Sequence, residues 1–205
     1  MTANGVEKLT ELFRRFPGIG PRQAKRFVYF LLGERPAYLK ELTDGIVELK
    51  KSVRECPECH RFFNSTSAAL CTICKSEQRD RSTLLLVEKD VDLDAMEKSG
   101  VYNGVYFVLG GTVPLLEDKR SSAVRLTELS KRIADLQKTG LSEVILAFSV
   151  TTEGEYTIER VTEIIRPLAE QKPFKITLLG RGLSTGSEVE YADSDTLKSA
   201  LEHRT

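Results

Sequence analysis

No apolar run in this 205-residue chain approaches the ~20 residues that span a bilayer. That lack excludes a helical membrane anchor within the sequence. A signal-like apolar stretch is also missing at the N-terminus, because MTANGVEKLTELFRR is already amphipathic. A cytoplasmic location is the resulting expectation. Histidine is nearly absent, with only His60 and His203, and cysteine is confined to four positions. Nothing repeats internally, and no stretch is of low complexity. What remains, 40% apolar and 29% charged, is the composition of a soluble globular protein of one or two domains.

Net charge is absent overall, but the balance is uneven along the chain. Residues 1–54 hold eleven Lys/Arg against six Asp/Glu, a net of +5, so the remainder carries −5. This segregation points to a basic working surface on an acidic body, although for so modest a difference a solvated helical face is the commoner explanation.

The first segment reads as helical. Val6, Leu9, Leu12 and Phe13 fall at helical spacing, and after a break Ala24, Phe27, Val28, Leu31 and Leu32 trace one face of a second helix. Leu39, Leu42, Ile46, Leu49 and Val53 recur at intervals of 3 and 4, giving a third. Beyond the cysteines the period changes. LLLVE (84–88), VYFVLGG (105–111), VILAF (144–148) and FKITLLG (174–180) are short apolar runs of buried-strand type. Helical patterns stand between them: around Leu93 and Met96, over roughly 121–138, and over Thr157–Ala169. Alternation of this kind predicts right-handed crossovers and a mostly parallel sheet covered on both faces.

The four cysteines form two C-x2-C pairs, Cys56/Cys59 and Cys71/Cys74, in CPECHRFFNSTSAALCTIC. Each pair can turn two sulfurs toward one ion, and Zn2+ favours a tetrahedron of thiolates. Disulfides are the alternative, which a cytosolic setting disfavours. With all four ligands from protein the zinc would be structural, and about twenty residues with little core of their own would fold on it. His60 could substitute as a ligand, but the simpler expectation is an exposed neighbour.

FPGIGPRQAKRF (16–27) joins the first two helices through Pro17, Gly18, Gly20 and Pro21, with no acid between Arg14 and Arg26. Helix, P-G-I-G-P and basic helix form the pattern of a helix-hairpin-helix. Gly18 and Gly20 admit backbone angles that a Cβ forbids and let main chain approach a ligand. Pro21 suits the first helical turn. Free N–H groups and the helix dipole favour a phosphate there, with Arg22 and Arg26 four residues apart flanking it and Ile19 plugging the helix pair. Such contacts read the DNA backbone, so binding would be sequence-independent and weakened by salt. A plain helix–helix turn with solvated arginines is the bland alternative.

In the strand-rich half, Glu88 closes the first strand, and Ser149-Val150-Thr151-Thr152-Glu153-Gly154-Glu155 follows the third. This layout resembles the Toprim domain, whose catalytic members hold Mg2+ on a glutamate after the first strand and an Asp-x-Asp after a later one. Here the Asp-x-Asp positions fall on Ser149 and Thr151, which supply no negative ligand. Glu88 and Glu153 alone would hold one Mg2+ weakly, and strand cleavage requires more charge. Neither histidine lies at these strand ends, and no tyrosine stands in a strand-transfer context. The domain reads as a Toprim shell without Toprim catalysis. An Mg2+-dependent nuclease or primase with a degenerate metal site is the alternative, and a zinc-dependent protein-interaction module with no DNA role is a third reading.

Hairpin, four cysteines and degenerate Toprim, in this order, resemble the RecR family of bacterial recombination mediators over nearly the whole chain. FPGIGPRQAKRFVYFLL is similar to its amino-terminal signature and LVEKDVDLDAMEKSGVYNGVYFVLGG to its first Toprim half. TTEGEYT and RGLSTGSEVEYADSDTLKSALEHR look like its closing segments, with Ser184-Thr185-Gly186-Ser187 where the family usually has Pro-Val-Gly-Gly.

The resemblance implies an α/β protein with an N-terminal helix-hairpin-helix (1–54), a four-cysteine zinc finger (55–78), a Toprim-like domain (79–180) and a short C-terminal segment (181–205). It implies a non-enzymatic DNA-repair scaffold, a dimer or ring-like tetramer. Such a scaffold works with RecO and RecF, and helps load RecA onto single-stranded DNA. Gly18, Gly20, Arg22, Lys25 and Arg26 are its expected DNA contacts, on single-stranded, gapped or duplex DNA. Lys25 falls where the family often has an uncharged residue. Glu88 and Glu153 match the acidic Toprim surface used for RecO. The segment TVPLLEDKRSSAV (112–124) departs from the family's glycine-rich loop, with Lys119 and Arg120 as replacement charge or as parts of an ordinary polar loop.

Overall fold

The computed structural model describes residues 4–65, 67–115, 124–180, 182–183, 186, 188–192 and 194–202. Lys119, Arg120, Ser184, Thr185, Ser187 and His203, singled out above, lie outside the described residues. The chain forms two compact units, Met1–Arg54 with Asn64–Thr66, and Glu55–Phe63 with Ser67–Thr205.

The first unit is helical, as the periodicity requires. Helix α1 (Gly5–Phe13) is capped by Asn4, whose side chain accepts from Val6 N, and α2 spans Pro21–Gly33. Helix α3 follows over Pro36–Ser52, again with proline in its first turn. The α1–α2 pair closes around Ala24 and Val28, both buried, with the Phe13 and Phe27 rings edge to face at 5.8 Å. The apolar stripe of α3 behaves differently. Its helix forms, yet Leu42, Ile46 and Leu49 stay exposed, Ile46 at 58% and Leu49 at 59%.

Strand β1 (Val53–Glu55) pairs with β2 (Phe62–Asn64) in a two-stranded ribbon where the chain passes from one unit to the other. The short α4 (Thr72–Lys75) carries the last cysteine.

The second unit is built on β3 (Asp80–Val87), β4 (Gly104–Val108), β5 (Glu143–Ala147) and β6 (Lys175–Leu178). Helices α5 (Asp90–Ser99), α6 (Leu126–Thr139) and α7 (Thr152–Gln171) make the crossovers. The sheet order is β4-β3-β5-β6, and every pairing is parallel. All four expected strands are present, each within a few residues of its apolar run. A 3-10 turn (Val189–Tyr191) and α8 (Ser194–Glu202) end the described chain.

Alternation along the strands sorts the core into two layers. Leu84, Leu86, Val105, Phe107, Val144 and Leu146 face one way and pack with Leu129, Ile133, Val161 and Ile165 of α6 and α7. Leu85, Val87, Tyr106 and Val108 face the other way, against Leu93 of α5 and all four cysteines. The sheet is therefore covered on both faces, as a parallel sheet demands, and the cysteine finger supplies part of one cover.

Candidate metal centre and nucleic-acid interface

Cys56, Cys59, Cys71 and Cys74 are fully or almost fully buried, and their sulfurs all lie within 4.8 Å of one another. All four are free thiols; the Cys59 and Cys71 sulfurs stand 3.6 Å apart. Four sulfurs on a tetrahedral ion with bonds of about 2.3 Å would be separated by ~3.8 Å, so the set fits such an ion. Crowding by the Cys56 sulfur and its neighbours pushes the Cys59 and Cys74 thiols up, a cost that a bound cation relieves. The cluster can bind a metal ion, and among the described residues it is the one such group of three or more candidate ligands.

The finger is tied to the sheet by polar contacts as well as by core packing. Cys59 O accepts from Val108 N at 2.8 Å, covering the open edge of β4. Arg132 of α6, buried, reaches Glu58 Oε2 at 2.8 Å, and Arg125 Nε meets Glu55 Oε1 at 3.2 Å. On the α5 side Arg61 pairs with Asp94, and Phe62 N donates to Asp90 Oδ1 at 2.7 Å.

His60 departs from its expected exposure. Its Nδ1 lies 2.6 Å from Glu55 Oε1, and its ring sits edge-on to Phe107 with centroids 5.0 Å apart. His60 has a positive φ of 60°, and its side chain is 16% exposed. It belongs to the docking of the finger.

At the end of β3, Glu88 is only 7% exposed. Ser149 Oγ donates to its Oε2 at 2.8 Å, and Lys89 Nζ lies 2.6 Å from its Oε1. Burial opposes ionisation of Glu88, but the Lys89 ammonium and the Ser149 hydroxyl outweigh it and hold the carboxyl below its ordinary value. Thr151 caps α7, accepting from Gly154 N at 3.1 Å. Glu153 is exposed in the first turn of α7. The two residues at the Asp-x-Asp positions thus have other work, and both oxygens of Glu88 are engaged within the chain. These residues do not fit the Mg2+ site of a catalytic Toprim domain, where carboxylates must be free to ligate. The lysine directly after Glu88 is the sequence signal for this arrangement, and strand and motif patterns give it no weight.

The hairpin of the first unit is built as its prolines and glycines dictate, with one exception. Ile19 N donates to Phe16 O at 3.2 Å, closing a turn with Pro17 second and Gly18 third. Gly18 has φ of 74°, the left-handed angle that the third position of a type II turn needs. Gly20 instead has φ of −80°, which any residue adopts, and a Cβ there would meet open space. It leaves the start of α2 bare of side chain.

That start has Pro21 in the first turn, no side-chain cap and no acidic residue. Arg22, Lys25 and Arg26 are exposed on the helix behind it, with Ile19 half-buried against the pair. Lys25 Nζ lies 5.9 Å from the centre of the Tyr29 ring, a partner that the sequence pattern did not single out.

Fold and site together define a class: a helix-hairpin-helix protein with a four-cysteine finger docked on a Toprim sheet. Residues 6–50 match the family described as "RecR, helix-hairpin-helix", residues 82–179 match "Toprim domain", and residues 182–205 match "RecR, C-terminal". The chain is 37% identical to "Recombination protein RecR" of Cereibacter sphaeroides, over 97% of this chain and 95% of that protein. It is 38% identical to the proteins of the same name from Dehalococcoides mccartyi and Chloroflexus aggregans. Those matches cover 99% and 100% of this chain, and 95% of each relative. The chain belongs to the RecR family of recombination proteins.

Proposed function

We propose that this chain is a non-enzymatic DNA-binding scaffold of recombinational repair in the cytoplasm. It works with RecO and RecF to help load RecA onto single-stranded DNA. The observation that carries the reading is the contrast between two sites. The hairpin is basic, uncapped and acid-free, whereas the Toprim glutamate is engaged by Ser149 and Lys89. One is equipped to hold phosphate, and the other lacks the free carboxylates that phosphoryl chemistry needs.

In this reading Arg22, Lys25, Arg26 and the main chain at Gly18 and Gly20 hold the DNA backbone. Single-stranded, gapped and duplex DNA are all bound, without sequence preference. Zn2+ fills the cysteine cluster as a structural ion. RecO docks on the acidic Toprim edge at Glu88 and Glu153, of which Glu153 is exposed and Glu88 is buried. A second copy covers the exposed stripe of α3, and a dimer or ring-like tetramer brings several hairpins to one DNA, adding weak contacts into avidity. The corresponding division of labour is hairpin (1–54), finger (55–78), Toprim-like body (79–180) and C-terminal segment (181–205).

Arg22→Ala with Arg26→Ala tests the reading. Binding to gapped DNA is expected to weaken, and its salt dependence to flatten by about one unit for each phosphate no longer held. Unchanged affinity overturns the hairpin as the DNA-binding element. Strand cleavage with Mg2+ or Mn2+ that Glu88→Gln abolishes would instead establish the nuclease or primase alternative.

A further inference from the structure

Arg22, Lys25, Arg26 and Tyr29 occupy positions i, i+3, i+4 and i+7 of α2, so they share one face of the helix. All four are exposed, Tyr29 at 56%. Ala24 and Val28 on the opposite face are buried against the helix pair, which fixes the rotation of α2 and keeps the basic face outward. No acidic residue lies between Glu11 and Glu34, so nothing on this stretch neutralises the three cations. The face spans two helical turns, ~10 Å, from the hairpin to the aromatic ring.

Charge alone would suit any polyanion. The ring is the additional element, because an exposed tyrosine amid cations offers a flat surface to another flat group. We infer that Tyr29 is a base-stacking platform that selects single-stranded DNA over duplex on this face. The arginines and Lys25 hold the phosphates of the strand, and an unpaired base lies on the ring of Tyr29. Lys25, whose ammonium stands 5.9 Å from the ring centre, bridges the two contacts as both a phosphate partner and a cation over the ring. Bases in a duplex are stacked on one another and have no free face to offer, so the ring adds nothing to duplex binding. The inference rests on the hairpin reading of DNA binding and names which strand form that surface prefers.

The test uses the full chain with three labelled probes: an oligothymidine strand, the same strand carrying abasic sites, and a duplex. Tyr29→Ala is expected to weaken oligothymidine binding about tenfold and to leave duplex and abasic-strand binding unchanged. Tyr29→Phe should restore the single-strand affinity, since stacking uses the ring and not the hydroxyl. Equal losses on all three probes, or no loss on any, overturn the platform. A changed native mass for Tyr29→Ala also overturns it, by assigning the ring to a contact between subunits. Arg22→Ala with Arg26→Ala separates the two levels. If that pair weakens all three probes while Tyr29→Ala weakens none, the platform fails and the hairpin reading stands. If the pair weakens none, the hairpin reading fails as well.

Discussion

The hydroxyl of Ser149 donates a 2.8 Å hydrogen bond to Glu88 Oε2, across the C-terminal ends of β5 and β3. In a catalytic Toprim domain a carboxylate stands at the serine's position, and a metal ion links it to the glutamate. Here a neutral hydroxyl makes the link directly, and the Lys89 ammonium supplies positive charge to the other oxygen. The hydrogen bond joins the two strand ends directly.

Removing that link should cost stability in a pH-dependent way. A hydrogen bond to a charged, buried group contributes about 1.5–3 kcal/mol, so Ser149→Ala is expected to lower unfolding stability by roughly this amount at neutral pH. Glu88 is held below its ordinary value in the folded chain. Its ionised interactions therefore contribute fully above the unfolded glutamate range, near pH 4.3, and disappear as pH falls through the lower folded value. The difference between Ser149→Ala and the parent should shrink across that acidic window. Urea midpoints measured from neutral pH downward check this, and a difference independent of pH would refute it.

Metal removal should reach beyond the finger. The cysteines share a core cluster with Leu85, Val87, Tyr106 and Val108, so an ion held by them would support the sheet as well as its own knuckle. Structural zinc in small finger peptides contributes on the order of 10 kcal/mol to folding. Cys59→Ser or Cys74→Ser is expected to release the metal and to lower the melting temperature of the Toprim unit. Metal content by elemental analysis and thermal unfolding with and without chelator measure both effects. Zinc-free protein that melts unchanged would show the ion to be dispensable.

Gly154 sits where α7 turns sharply away from β5. A Cβ on it would lie 1.9 Å from Ser149 O, a backbone atom unable to move without displacing the strand end. Gly154→Ala is expected to destabilise by about 2–3 kcal/mol through overpacking, and to disturb the Thr151 cap and the Ser149–Glu88 hydrogen bond together. Thermal melts compared with Thr151→Ala, which removes the cap for about 1 kcal/mol, separate steric clash from the missing cap.

Much of this architecture was legible in the sequence because it depends on local rules. Helical spacing set α1, α2 and α3, and short apolar runs set the four parallel strands. Pro17 and Gly18 set the turn, since proline fixes one backbone angle and only glycine readily takes the next. Paired C-x2-C spacing set the metal cluster, and serine and threonine in place of two aspartates announced the missing carboxylates.

What lay outside the sequence's reach depends on which residues meet across distance. That the finger packs on the sheet follows from Glu58 finding Arg132, Cys59 O finding Val108 N, and His60 turning onto Phe107. Partners so far apart along the chain leave no periodic trace. The engagement of Glu88 is of the same kind, since it requires Ser149 from beyond another strand. Even Gly20, expected to need a glycine's backbone freedom, has an ordinary angle once the turn is closed at Gly18. Periodicity shows which face of a helix is apolar, but only the packed chain shows whether that face is covered. Ala24 and Val28 are buried within this chain, while Leu42, Ile46 and Leu49 are not. The sequence by itself determined the elements and the chemistry each carries, because backbone angles and ligand types are local properties. Tertiary structure alone decided which of those groups are free to act, because burial and pairing are set by neighbours far along the chain.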